Sequence, residues 1–225
     1  MNRHKVFQIR QFILTLTECF CDGAASIGSI NSVEWDMRQQ ILTVGMVLLA
    51  SVAIAACDPT TAANLSPPQG SEPIQITSTA FAPGALIPVQ QTCDGKDLSP
   101  DLAWEGIPAD TKSLVIIAQD PDALFKPFTH WVLYDLPPNT RQIPAGLPPQ
   151  PFLTTGGGHG KNDFGRYGYG GPCPPNGTHR YIFKVYALDK LLDLPAGATK
   201  AEVLAAIGGH VKATGELMGK YSRKK

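Results

Sequence analysis

Gly170-Gly-Pro-Cys-Pro-Pro-Asn-Gly-Thr-His-Arg-Tyr181 is the stretch around which the chain is organised. Three prolines and three glycines in so short a run exclude a helix interior or a central strand, because proline lacks the amide donor and glycine favours unusual φ. The run is a shaped loop. Arg180 to Leu188 then alternates in a β-branched and aromatic-rich pattern, which predicts a strand that holds the loop's last residues still. His179 and Tyr181, two apart, point the same way on that strand. A second stretch, Asp120-Pro-Asp-Ala123 followed by His130-Trp131, has the same form, with acidic and imidazole groups at strand edges. The two segments are expected to meet in one small polar pocket.

The chain has 225 residues, no formal net charge and 43% hydrophobic residues, enough for one good core. With no basic surplus there is no electrostatic footprint for nucleic acid. Abundant glycine and proline, with many short alternating runs, favour a β-rich, loop-rich fold. The five cysteines do not act as a set: no pair has zinc-type spacing with a matching second pair, so no structural metal is expected.

Met37-Arg38 opens an almost wholly apolar run from Ile41 to Ala56, which ends at Ile54-Ala-Ala-Cys57. A short cationic start, an apolar stretch too brief for a comfortable span, and small residues before a cleavage point are the parts of a secretory signal. Small residues leading directly into cysteine resemble a bacterial lipobox, so residues 37–56 read as a signal peptide and Cys57 as a lipidation site. An ordinary signal peptide or a short retained membrane helix are the alternatives. Residues 1–36, of mixed charge and without period, read as an upstream stretch outside a chain whose translation starts at Met37, with a disordered extension as the alternative. Residues 57–73 are rich in Thr, Ala, Asn, Ser and Pro and read as a flexible linker. The folded domain is expected over 74–225, in the cell envelope, lipid-anchored or periplasmic.

Within that domain, Ile74 to Thr79 alternates and predicts a first strand. Leu98 to Trp104 reads as an extended segment with Trp104 packed inward. Ser113 to Gln119 is a continuous apolar run of strand length, hence buried on both faces. Thr129 to Asp135 is another strand, with His130, Val132 and Tyr134 expected on one face and Trp131 and Leu133 on the other. Thr155 to Tyr169 is glycine-rich and reads as a surface flap; Gly156-Gly-Gly-His-Gly160 lacks the ending of a phosphate loop. Thr199 with Glu202 forms a capping box that opens a helix. His210 to Tyr221 is expected to form a second amphipathic helix, with Val211, Leu217 and Met218 inward.

Asp120-Pro-Asp-Ala, His130-Trp131 and Gly171-Pro-Cys-Pro-Pro-Asn-Gly-Thr-His-Arg-Tyr181 together resemble the phosphatidylethanolamine-binding protein family, in its bacterial Raf kinase inhibitor-like branch. The likeness runs from about Ile74 to Arg223 and includes Thr92-Cys-Asp-Gly, Lys161-Asn-Asp-Phe-Gly and Glu216-Leu-Met-Gly-Lys-Tyr. It implies a mainly β (α+β) fold, an antiparallel β-sandwich-like core with C-terminal helices, and a pocket for phosphate-type anions such as phospholipid head groups. Carried over by position, the ligand-binding residues are Asp120, Asp122, His130, Gly171, Pro172, His179 and Tyr181. Imidazolium, loop N–H groups and a tyrosine hydroxyl can donate to phosphate oxygens. The carboxylates would orient a histidine and favour its charged form, or accept from an ammonium head group. The family usually has proline after Asp-Pro-Asp-Ala, where this chain has Leu124, so head-group preference does not carry over.

Three functions follow as expectations. The first is an exported binding protein for a small anionic ligand or phospholipid head group, held to a membrane through Cys57, with no cofactor. The second is an inhibitor of a kinase or protease through protein contact. The third is a metal-assisted hydrolase built from two Asp and two His, disfavoured because no nucleophile–base motif stands out. Cys93 and Cys173 flank the site loops; in an exported domain a disulfide between them would brace the pocket, and a pair of free, buried thiols is the alternative.

Overall fold

The computed structural model describes residues 63–223, so the readings that fall on 1–62, including the signal run and Cys57, lie outside the described residues. Ser113–Asp120 forms β3, and its continuous apolar run is buried on both sides. Leu114, Ile116 and Ala118 point into the larger core, while Val115 and Ile117 point into a second one. β3 pairs antiparallel with β4 (Phe128–Leu136) on one side and with β7 (Thr178–Leu188) on the other. β6 (Gly158–His159) lies outside β4, and β8 (Val211–Ser222) lies outside β7, completing a five-stranded sheet. A small antiparallel sheet of β1 (Gln75–Thr77), β2 (Leu102–Glu105) and β5 (Gln142–Ile143) supplies Ile76, Leu102, Trp104 and Ile143 to the larger core. As expected, Trp104 faces inward, and its indole N–H donates to the Thr140 carbonyl at 3.0 Å.

Helix α1 (Lys200–Ile207) covers the other face of the large sheet by burying Val203 and Ile207 in the second core. Its start is the expected capping box: the Thr199 hydroxyl accepts from Glu202 N, and the Glu202 carboxylate accepts from Thr199 N at 2.7 Å. This is the one α-helix among the described residues. The second helix expected over His210 to Tyr221 is instead β8, paired with β7 from Thr178↔Ser222 to Leu188↔Val211. Its burial alternates strictly, with Val211, Ala213, Gly215, Leu217, Gly219 and Tyr221 inward and Met218 outward. Two of those inward positions are glycine because neighbouring chain leaves no room. A Cβ on Gly215 would lie 1.9 Å from the Ile74 carbonyl oxygen, and one on Gly219 would lie 2.6 Å from Ile87.

Two further expectations change. The 155–169 segment is not a surface flap: His159 is fully buried and pairs with Leu133, and Asn162 and Tyr169 are buried. The linker expected over 57–73 is not free along its described part. The Asn64 carbonyl accepts from Gly209 N at 2.9 Å, and Leu65 packs on the second core beyond the end of α1.

Candidate functional site

β3 ends in the Asp120-Pro-Asp turn, and both carboxylates of that turn reach across to β7. Asp120, 4% exposed, accepts from the Asp122 amide at 2.8 Å through Oδ1 and from His179 Nδ1 at 2.7 Å through Oδ2. Asp122 holds the next residue: its carboxylate accepts from Arg180 N and Nε, each at 2.9 Å, and from Nη2 at 2.6 Å. These hydrogen bonds from Arg180 hold the Asp122 carboxyl well below its ordinary value, at about 2. The ladder between β3 and β7 stops at Gln119↔Ile182, and side chains continue the pairing past that point. Asp120 therefore faces the site, while Asp122 is spent on a half-exposed ion pair at its rim.

His130 reaches the site through an irregularity. Ala118 pairs with Trp131 and Gln119 with Thr129, so His130 has no partner across the ladder. A bulge of this kind re-aims a side chain. It removes His130 from the face of Val132 and Tyr134, where alternation places it, and sets its ring 5.2 Å from Tyr181 on the side of the larger core. The rings of Phe128 and Phe164 meet it edge-on at 5.2 Å and 5.5 Å. His130 Nδ1 lies 2.5 Å from the Gly170 carbonyl, which only accepts, so the ring carries its proton on Nδ1. The same logic puts the His179 ring proton on Nδ1, toward Asp120. Neither Nε2 has a hydrogen-bond partner among the described residues. Burial pushes the His130 pKa down, against smaller upward effects of the Gly170 carbonyl and of Asp120, Asp163 and Asp97. Tyr181, 2% exposed, has a buried hydroxyl with no partner; burial raises its pKa, and the neighbouring Asp120 adds to the shift.

Gly171 and Pro172 stand in the loop with their backbone groups committed. Gly171 N donates to Asp97 Oδ1 at 2.5 Å, and the Pro172 carbonyl accepts from Cys93 N at 3.1 Å. A Cβ on Gly171 would lie 2.3 Å from the Gln91 carbonyl oxygen, so only glycine fits this close approach. Cys93 and Cys173 are joined by a disulfide with a Cα–Cα distance of 5.4 Å. The Cys93 turn is tied in turn to β8, because Asp94 accepts from the Tyr221 hydroxyl at 2.8 Å and from Arg223. An open concavity of about 380 Å³, lined in part by Asp97, Arg166 and Tyr169, borders these supports rather than the two histidines.

Several residues that position the site carry no independent signal in the sequence. Asp97, in the left-handed region at φ 58°, receives Gly171 N through one oxygen and Arg166 Nη2 at 2.5 Å through the other. Asn162, 4% exposed, organises the segment after β6: its Oδ1 accepts from Phe164 N and Arg166 N, and its Nδ2 donates to the Gly168 carbonyl at 3.0 Å. Asp163 exchanges hydrogen bonds with Thr129, which sets Phe164 over His130. Among the described residues no three His, Cys, Asp or Glu side chains converge as metal ligands do.

The model of the phosphatidylethanolamine-binding protein family matches residues 77–222. The chain belongs to this family. A UPF0098 protein of Methanothermobacter thermautotrophicus is 45% identical over 150 residues, which are 67% of this chain and 99% of the relative. A protein of Mycobacterium tuberculosis named "Putative lipoprotein LppC" is 38% identical over 165 residues, 72% of this chain and 79% of its own. The crystal structure of Escherichia coli YbcL, described as a new member of the mammalian family, superposes with a TM-score of 0.63 at 32% identity, covering 68% of this chain and all of that one. The matched region thus makes up 99% of the Methanothermobacter relative and all of the YbcL chain.

Proposed function

We propose that this member of the phosphatidylethanolamine-binding protein family is an exported, lipid-anchored binding module, and that Asp120, His130, His179 and Tyr181 take the phosphate group of a small anionic ligand. The arrangement of the two histidines carries this reading. Each spends Nδ1 on a fixed acceptor, Gly170 O or Asp120, and keeps Nε2 for a ligand, and the unpartnered Tyr181 hydroxyl belongs to a ring 5.2 Å from that of His130. A neutral His130 presents Nε2 as an acceptor, suited to the O–H of a phosphate monoanion or to an ammonium group. His179 Nε2 donates when the ring is charged, and the Tyr181 hydroxyl donates as it stands. Gly171, Pro172 and Asp122 then act as supports of the loop and of β7 rather than as direct contacts.

Support for the anchored, exported part is the Ile54-Ala-Ala-Cys57 sequence together with the similarity to a relative named as a lipoprotein. The test is calorimetric titration of the protein with inorganic phosphate and phosphoethanolamine, beside His130→Ala and His179→Ala. Binding by the parent that both substitutions abolish is the expected result. A parent that binds neither anion, with variants indistinguishable from it, rejects the site.

A further inference from the structure

Beyond Asp122 the turn between β3 and β4 leaves the domain surface. Phe125 is 99% exposed and Leu124 71%. Isolated exposed apolar side chains such as Leu86 or Leu191 are ordinary on a protein surface. Here two stand side by side at a loop tip, and Phe164, 45% exposed, stands beside the same strand end. Phe164 packs edge-on against Phe128 at 4.7 Å and against His130 at 5.5 Å. Apolar surface therefore borders the candidate anion site from the ring of His130 outward. Lys126 follows the tip directly. Lys200, at the start of α1, donates to the Gln119 side chain at 3.0 Å; burial lowers its pKa, against the attraction of Asp163, and repulsion from Lys126 adds a smaller downward effect, so both cations and Asp163 share one neighbourhood.

We propose that the Leu124–Phe125 tip inserts into the boundary between head groups and acyl chains of a phospholipid bilayer, with Lys126 and Lys200 beside the lipid phosphates. A large apolar side chain with no covering, next to cations, is the chemistry of an interfacial anchor. The tether argues for a membrane rather than a protein as the occupant. Ala63 lies against Gly208, and Asn64 bonds Gly209, so the chain leaves the domain at the end of α1. Cys57 is six residues before Ala63, a reach of at most about 20 Å. The opposite end of α1 carries Lys200, and an eight-residue helix is about 12 Å long. A lipidated Cys57 would thus hold the bilayer within reach of the tip. A weak second contact suffices once the first fixes the protein at the surface. The inference rests on the anion-site reading above and deepens it, because it makes the lipid head group the source of the phosphate.

The experiment uses the domain from Ala63 to Lys225, so that no acyl chain or signal run contributes. Phe125→Trp places a reporter at the tip; the parent's own Trp104 and Trp131 are buried and serve as the background. The probes are vesicles of mixed phosphatidylethanolamine and phosphatidylglycerol with brominated acyl chains. The reporter's emission is expected to shift to the blue and to be quenched by the acyl bromines. Replacing both Leu124→Ser and Phe125→Ser is expected to weaken vesicle binding by about tenfold or more and to leave phosphoethanolamine titration unchanged. A reporter that stays water-exposed at saturating lipid, or a doubly substituted domain that binds vesicles like its parent, overturns the proposal. Phosphoethanolamine binding with no insertion rejects the docking surface alone. Insertion by a domain that ignores phosphoethanolamine supports the surface and rejects the anion site.

Discussion

Asp120 and His179 are 59 residues apart in the chain and are joined by a 2.7 Å hydrogen bond in which His179 Nδ1 donates to Asp120 Oδ2. Both are buried. The bond fixes the ring's orientation and directs Nε2 away from Asp120, so whatever His179 does to a ligand depends on Asp120.

Removing the carboxylate strands a buried imidazole N–H, a loss of about 1–3 kcal/mol. Asp120→Ala is therefore expected to lower unfolding free energy by about 2 kcal/mol and to weaken phosphate binding. Asp120→Asn keeps an acceptor for His179 Nδ1 but drops the charge. Its single oxygen can serve His179 Nδ1 only with its NH2 turned toward the Asp122 amide, so it is expected to recover part of the stability while still losing affinity. Denaturant titration of both variants, beside calorimetry, checks this; an Asp120→Ala domain with unchanged phosphate affinity would falsify the positioning role, and an unchanged Asp120→Asn domain would remove the carboxylate's charge from it.

Cys93 and Cys173, 80 residues apart, close a loop that contains β2 to β6. Cross-linking so long a segment restricts the unfolded chain strongly, and removal of a native bridge in a small domain typically costs about 2–5 kcal/mol. Reduction, or the double Cys→Ser substitution, is expected to lower the urea midpoint by a corresponding amount. Phosphate affinity should fall less, because Asp97 and Cys93 N still hold Gly171 and Pro172. Equal midpoints for oxidised and reduced protein would remove the bridge from the stability of the domain.

Much of this architecture was legible because single residues reported their surroundings. The apolar run of Ser113 to Gln119 could only be a strand covered on both sides, and Thr199 with Glu202 satisfied the first amides of a helix that then formed. β8 was missed because two of its inward positions are glycine. With Gly215 and Gly219 contributing no hydrophobicity, Val211, Leu217 and Met218 mimic a helical stripe. The placement of His130 failed for another reason: alternation assumes an unbroken ladder, and the bulge that skips His130 depends on how β4 meets β3. Asp97 acts through a backbone group distant in sequence, which a lone polar residue in a loop does not announce; Asn162 lies in the Lys161-Asn-Asp-Phe-Gly stretch that carries the resemblance, but its role is exercised on backbone groups of a tight turn and is not legible from its type.

Gly215 supplies a test of that correction. In a helix from His210 to Tyr221, glycine-to-alanine would stabilise by about 1 kcal/mol. In β8 the added methyl would meet the Ile74 carbonyl at 1.9 Å, and overpacking of this kind costs about 1–3 kcal/mol or more. Gly215→Ala is expected to destabilise by that amount and to loosen the Ile74 N to Thr214 O hydrogen bond, 2.9 Å long in the structure. Amide exchange at Ile74 reads the second effect. A stabilised variant would contradict the strand.

Acid sensitivity should begin well above the carboxylate range. Burial holds the His130 pKa below its ordinary value despite the Gly170 carbonyl, and burial does the same for His159, against the Gln150 carbonyl. In the unfolded chain both titrate near about 6.5. Below that pH the unfolded state binds protons that the native state refuses, so stability must fall as the pH drops through about 6.5. Asp122 does not take part in this window. Its pKa is held at about 2 by Arg180, so its contribution, about 1 kcal/mol after allowing for solvent screening, is present above about pH 4 and lost as pH falls toward 2. The expected urea midpoint therefore declines from about pH 7.5 to about pH 5.5, and His159→Gln flattens part of the decline without touching the anion site. A parent midpoint constant across that interval would mean that neither imidazole is buried in its neutral form.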